Sequence, residues 1–185
     1  DREVLTVVPT ADRKTYVKTE DGVFRVYKLI NDATSYDEIT PGRFYEAGRG
    51  FGNFQTMLSD FPAGELVETI HDFHNTRARF DAFVRAVKSD KVGRAAGVLE
   101  EIGFVLAREK YVDRVNSEIE DGRIPLRVTH NDTKLNNVLL DNESGHAVCV
   151  LDLDTVMPGS LLFDYGDALR YGASTAAEDE TDLSK

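Results

Sequence analysis

The stretch from His130 to Asp154 constrains this chain more than any other. It reads H-N-D-T-K-L-N-N-V-L-L-D, a short polar turn, and then A-V-C-V-L-D-L-D. Val128 and Thr129 lead in as an extended segment, and Val138, Leu139 and Leu140 make a second apolar run. Asn142, Glu143, Ser144 and Gly145 supply turn residues, and a third run from Ala147 to Leu151 stops on Asp152. Loop, hairpin and terminal carboxylate follow one another in that order. The pattern lets Asp132, Asn137 and Asp152 converge. In such a set one carboxylate can orient a hydroxyl and accept its proton, while an amide oxygen and a second carboxylate can hold Mg2+. Such a set suits phosphoryl transfer, in which the protein mainly positions groups and neutralises charge.

The spacing resembles the protein-kinase catalytic loop, in which an Asp is followed five residues later by an Asn. His130, Asp132 and Asn137 match it, and Asp152 falls where the metal-binding Asp of D-F-G would. Asn131 stands in place of the Arg of H-R-D, and D-L-D in place of D-F-G. Those departures resemble the aminoglycoside phosphotransferase and choline kinase branch, which acts on small molecules. Within that branch, H-N-D-T-K-L-N-N followed by V-L-D-L-D-T-V-M-P-G and F-D-Y-G-D is similar to the N-acetylhexosamine 1-kinases. The resemblance implies Asp132 as catalytic base and Asn137 with Asp152 as the groups that hold Mg2+ and, through it, the phosphates of ATP. Lys134 would neutralise the transferred phosphate or contact the substrate, with a plain surface lysine as the alternative. His130 would pack beneath the loop. Asp164 would brace the loop by accepting backbone N–H bonds, although a simple helix cap reads the same. Asp154 either helps the metal, bonds to the loop or is a surface carboxylate.

Upstream, Val4 to Val8 reads as a short strand stopped by Pro9, and Thr15 to Thr19, Glu20-Asp21-Gly22 and Val23 to Ile30 read as strand, turn and strand. By the resemblance, Leu29 to Ala33 would form a hinge whose backbone bonds to adenine. Phe44, Ala47, Phe51, Phe54, Leu58 and Phe61 recur at helical spacing, so Pro41 to Phe61 is expected as a helix. The Gly48-Arg49-Gly50-Phe51-Gly52 run inside it is not a nucleotide loop. No strand precedes it, and Asn53 stands where the last Gly is required. Close helix packing is the better reason for those glycines. His71 and His74 share a helical spacing without an evident third zinc ligand. The T-I-H-D-F-H-N-T stretch resembles the sugar kinases, and an interhelical turn with His74 bonded to the chain is the simpler expectation. Arg94 to Ile119 carries the longest amphipathic stripe and is expected as one helix ended by Asp121-Gly122. A further helix is expected from Phe163, then an acidic, irregular tail from Ser174 to Lys185.

The expected fold is therefore α+β and kinase-like. Residues 1–39 would be the end of a small β-rich lobe and its hinge, and residues 40–185 a mainly helical lobe carrying the catalytic hairpin. The expected activity is ATP- and Mg2+-dependent transfer to the C1 hydroxyl of an N-acetylhexosamine. Another small-molecule kinase, or a silent binding fragment, is the alternative. A net charge of −11 speaks against a nucleic-acid surface. No apolar run of roughly 18 residues suggests a membrane span, and no signal peptide opens the chain. The lone Cys149 suits a reduced, cytoplasmic protein. The chain begins at Asp1 without a Gly-rich loop or a V-A-I-K-type lysine, so it reads as a piece of a longer enzyme with little activity alone.

Overall fold

A computed structural model describes residues 2–174, 176 and 180–182. The first elements are a hairpin of β1 (Val17–Thr19) and β2 (Gly22–Phe24), with Val17 opposite Phe24. Gly22, at φ +143°, turns the chain where a side chain would be strained. The strand expected over Val4 to Val8 and the second half of the one expected over Val23 to Ile30 are mostly irregular. Val7 forms a single bridge to Tyr27, supported by Val8 N–H to Val26 O and Lys28 N–H to Thr6 O. Pro9, with no N–H to donate, follows at once, and the pairing does not extend. Strand β3 (Ala33–Thr34) then stitches the expected hinge to β5 (Val138–Asp141), through Ala33 opposite Asp141 and Thr34 opposite Leu140.

Helix α1 spans Pro41–Met57. Thr40 caps it by accepting from the Arg43 N–H, and Pro41 occupies the first turn, where its missing donor costs nothing. The helix stops at Met57 rather than Phe61, and single turns continue the chain. Its inner face buries Ala47, Gly50, Phe51 and Phe54. Ala47 and Phe51 meet Leu135, Val138 and Leu140 in the core beneath the hairpin of β5 and β6 (Ala147–Val150). Among the three glycines of the α1 run, only Gly50 is needed for close approach. A Cβ there would lie 3.1 Å from Val138 and 3.2 Å from Ala147, whereas Gly48 and Gly52 face open space.

The long helix expected over Arg94 to Ile119 is broken. Only α3 (Leu99–Leu106) and α4 (Arg114–Glu120) are α-helical, separated by a 3-10 turn at Glu109–Tyr111. Leu99, Phe104 and Leu106 remain exposed, so no partner face supports a continuous helix. Arg77 of α2 (Thr76–Ser89) instead binds Asp113 and Glu109 and anchors the intervening turn. Gly122, at φ +72°, ends the segment as expected. Strand β4 (Arg127–Thr129) pairs with β7 (Met157–Gly159), and α5 spans Leu161–Gly172 with Ser160 as its cap. The expected irregular tail falls largely outside the described residues. Among the described residues no helix is long and apolar enough to cross a membrane.

Candidate active site

The loop between β4 and β5 is held by side chains rather than by a ladder. Thr129, His130 and Asn131 are buried, and Asn131 adopts φ +68°. Asn tolerates that left-handed conformation better than most residues. Asp164, 3% exposed in the first turn of α5, accepts His130 N–H at 3.0 Å and Asn131 N–H at 2.7 Å. It also accepts Gln55 Nε2–H from α1 at 2.7 Å, so three donors balance a buried carboxylate. Asp167, one turn further along α5, accepts Thr133 N–H at 2.8 Å. Asp132 N–H points at His130 Nδ1 at 3.3 Å. All four amides from His130 to Thr133 therefore have side-chain acceptors, three supplied by α5 and one, His130 Nδ1, by the loop itself.

His130 has no exposed surface, and Phe51 and Phe54 meet it edge-on. Its Nε2–H donates to Leu151 O at 2.8 Å, which leaves Nδ1 as the acceptor for Asp132 N–H. Both ring nitrogens are thus committed, as expected of a histidine packed beneath the loop. The same bond ties the loop to the residue before Asp152, and Leu151 N–H returns to Asn137 O at 2.8 Å.

Around Asp132 the polar groups converge. Its Oδ2 accepts from Asn137 Nδ2 at 3.0 Å, and its Oδ1 lies 3.2 Å from Lys134 Nζ. Asn137 Nδ2 also donates to the Asp132 carbonyl at 2.9 Å. With the amide nitrogen turned onto Asp132, the amide oxygen faces elsewhere. Asp152 follows β6 at φ +52°, is exposed, and receives no side-chain hydrogen bond among the described residues. The structure therefore joins Asp132, Lys134 and Asn137 directly and reaches Asp152 through the backbone of Leu151.

This donor set suits Mg2+. An amide oxygen and one carboxylate are hard ligands, and Mg2+ takes one or two protein oxygens with phosphates and water completing its shell. Among the described residues no group of three His, Cys, Asp or Glu could hold a metal alone. Asp154 is exposed and pairs with the Arg25 guanidinium. His71 is exposed beside Glu68 and Asp72, while His74 turns inward to bond Asn131 O at 3.1 Å, so the two histidines do not share a ligand.

Asp167, Gln55 and Thr155 were not singled out by sequence reasoning. The spacing of F-D-Y-G-D signals Asp167, one helical turn after Asp164. Nothing local signals Gln55, or Thr155, whose hydroxyl donates to His130 O at 2.7 Å.

Residues 20–183 match the family model described as the phosphotransferase enzyme family. Among solved structures, the chain is similar to the GDP complex of wild-type aminoglycoside 2'-phosphotransferase-IIIa. Identity is 14% and the TM-score 0.57, over 95% of this chain and 61% of that one. It is also similar to ADP-bound aminoglycoside phosphotransferase APH(2'')-Ib, at 14% identity and a TM-score of 0.47, over 94% of this chain and 61% of that one. The chain thus spans about three-fifths of the length of these two structures. The first likeness shows the fold to be α+β and protein-kinase-like.

Proposed function

The chain belongs to the phosphotransferase enzyme family, and on that premise we propose that the whole protein transfers the γ-phosphoryl group of ATP to a small-molecule hydroxyl, the C1 hydroxyl of an N-acetylhexosamine. The observation that carries the reading is Asp132 held between Lys134 and Asn137 on a loop whose amides are fixed by Asp164 and Asp167 of α5 and by the buried His130 ring. Preorganisation of this kind is what a positioning reaction requires.

Asp132 orients the acceptor hydroxyl and takes its proton as the new O–P bond forms. The bond between the γ-phosphorus and the bridging oxygen breaks, and ADP leaves with that electron pair. Lys134, 3.2 Å from Asp132, lowers the charge facing the incoming phosphoryl group. Asn137 and Asp152 would hold Mg2+, which when bound neutralises the nucleotide phosphates. Leu29 to Ala33, joined to the hairpin by β3, would bond the adenine from the backbone. Residues 1–39 would be the end of the smaller lobe and residues 40–185 the catalytic lobe. A nucleotide donor is supported by the GDP complex among the similar structures. The free, buried Cys149 supports a cytoplasmic setting.

A cationic acceptor is the second reading. The net charge of −11 would draw an aminoglycoside or choline more strongly than a neutral sugar. A panel of N-acetylglucosamine, N-acetylgalactosamine, kanamycin, choline and homoserine with Mg-ATP separates the readings. Phosphorus NMR of the product should show an anomeric phosphate on the sugar. Turnover of kanamycin or choline without turnover of either sugar would replace the first reading by the second.

A further inference from the structure

His74 lies outside the residues assigned to the reaction, yet it touches the loop where its backbone is least relaxed. Asn131, at φ +68°, directly precedes Asp132. Its N–H goes to Asp164 Oδ1 at 2.7 Å, and its Nδ2 donates to Thr129 O at 3.2 Å and Thr155 O at 2.9 Å. Its Oδ1 accepts from the Thr129 hydroxyl at 3.0 Å. The remaining group is the carbonyl, which belongs to the peptide joining Asn131 to Asp132. It lies 3.1 Å from His74 Nε2. A carbonyl only accepts, so the His74 ring carries a proton on Nε2 and donates it.

The ring is delivered by a rigid piece of chain. His74 immediately precedes Asn75, whose Oδ1 caps α2 by accepting Ala78 N–H at 3.0 Å. Asn75 Nδ2 donates to Asp72 Oδ1 at 2.8 Å, and Asp72 is itself left-handed at φ +56°. On the other side, Arg79 Nε–H donates to Phe73 O at 2.7 Å. The imidazole stacks on Phe163 at 5.0 Å with an interplanar angle of 26°. Phe163 is the residue before Asp164, so one turn of α5 backs the ring and accepts the Asn131 N–H. Asn131 is gripped by its N–H from α5 and by its C=O from the start of α2. A non-glycine residue stays left-handed only where its surroundings over-determine it.

We propose that His74 is a positioning residue for phosphoryl transfer. It holds the Asn131–Asp132 peptide plane and thereby sets the direction in which the Asp132 carboxylate faces. The inference rests on the proposed function and adds to it a residue that touches neither substrate nor metal.

Two substitutions in the full-length protein separate the hydrogen bond from the ring. His74→Phe keeps an aromatic face against Phe163 and loses the donor, whereas His74→Gln keeps an N–H donor near Nε2 and loses the ring. With acceptors the wild type turns over, His74→Phe should lower kcat about 10- to 100-fold, the scale of a small misplacement of a reacting group, with KM values nearly unchanged. His74→Gln should stay within about threefold of wild type if the donor is what matters. Hydrogen exchange of the peptide covering residues 128–135 needs no acceptor. It should rise about tenfold or more in His74→Phe and stay near wild type in His74→Gln. A fully active His74→Phe overturns the proposal, and so does equal loss in both variants, which would make His74 a packing element only. Should the wild type turn over no acceptor in the panel, the proposed function falls, and an exchange pattern alike in both variants still overturns the positioning role.

Discussion

At the residue scale, the assignment of Asp132 is tested by an isosteric change. Asp132→Asn keeps the shape that meets Lys134 and Asn137 and removes the ability to take a proton. In the full-length enzyme kcat should fall about 100- to 10,000-fold, the usual worth of a general base. The loss should fall on kcat rather than on KM, because the interaction strengthens as the hydroxyl attacks. Steady-state kinetics with circular dichroism checks it, and a folded variant retaining more than roughly a tenth of wild-type kcat ends the assignment. His130→Gln is the internal control, since both ring nitrogens of His130 are already committed. Asp152 is argued differently. Its carboxylate is exposed and its backbone is left-handed at φ +52°, so Asp152→Asn, which tolerates that conformation, should leave thermal stability nearly unchanged while raising the Mg2+ concentration needed for half-maximal rate. For the same reason Asp152→Ala would add a backbone cost of its own. A Mg2+ titration that superimposes on wild type would remove Asp152 from the metal site.

At the element scale, the contact between β7 and the loop after β4 sets the tolerance of the site. A Cβ on Gly159 would lie 2.3 Å from Thr129 Oγ1 and 3.2 Å from Asn131 Oδ1. Thr129 has no exposed surface and bonds both Asn131 and Met157, so it cannot swing aside. Gly159→Ala should therefore cost about 1–3 kcal/mol of overpacking and lower Tm by roughly 3–10 °C. Activity should fall with it, because Asn131 must shift. Gly48→Ala is the matched control. It faces open space in the middle of α1 and should stabilise by about 0.5–1 kcal/mol. Differential scanning calorimetry of the two variants checks both signs, and a Gly159→Ala protein as stable as wild type would show that Thr129 has room to move.

At the scale of the whole molecule, a net charge of −11 over these 185 residues would attract a cationic acceptor at long range and leave a neutral one unaffected. A neutral sugar feels no steering, and its kcat/KM at saturating Mg-ATP should be nearly flat between about 50 and 300 mM salt. A cationic acceptor should lose kcat/KM steeply over the same range as the field is screened. The salt series therefore separates the two acceptor readings independently of product analysis. A steep fall for N-acetylglucosamine would mean that the acceptor site works through charge after all.

The sequence by itself determined the residue types of the site and their order, since Asp132, Lys134 and Asn137 lie within six positions and close on one another through a single turn. It also determined the β5–β6 hairpin, α1 from its start at Pro41, and the stop at Gly122, because turn residues and helix ends act over a few bonds. The buried role of His130 and the inward bond of His74 were legible as well, as alternatives to catalysis and zinc binding. Tertiary structure alone decided how the loop is held. The resemblance offered Asp164 as a brace and the sequence a chain-bonded His74, but that both meet at Asn131, 33 and 57 positions away, and that Gln55 reaches Asp164 across 109, no local pattern encodes. It also broke the helix expected over Arg94 to Ile119 and shortened the first strands. Periodicity states which face an element offers, whereas the length of the element depends on whether another surface arrives to cover that face.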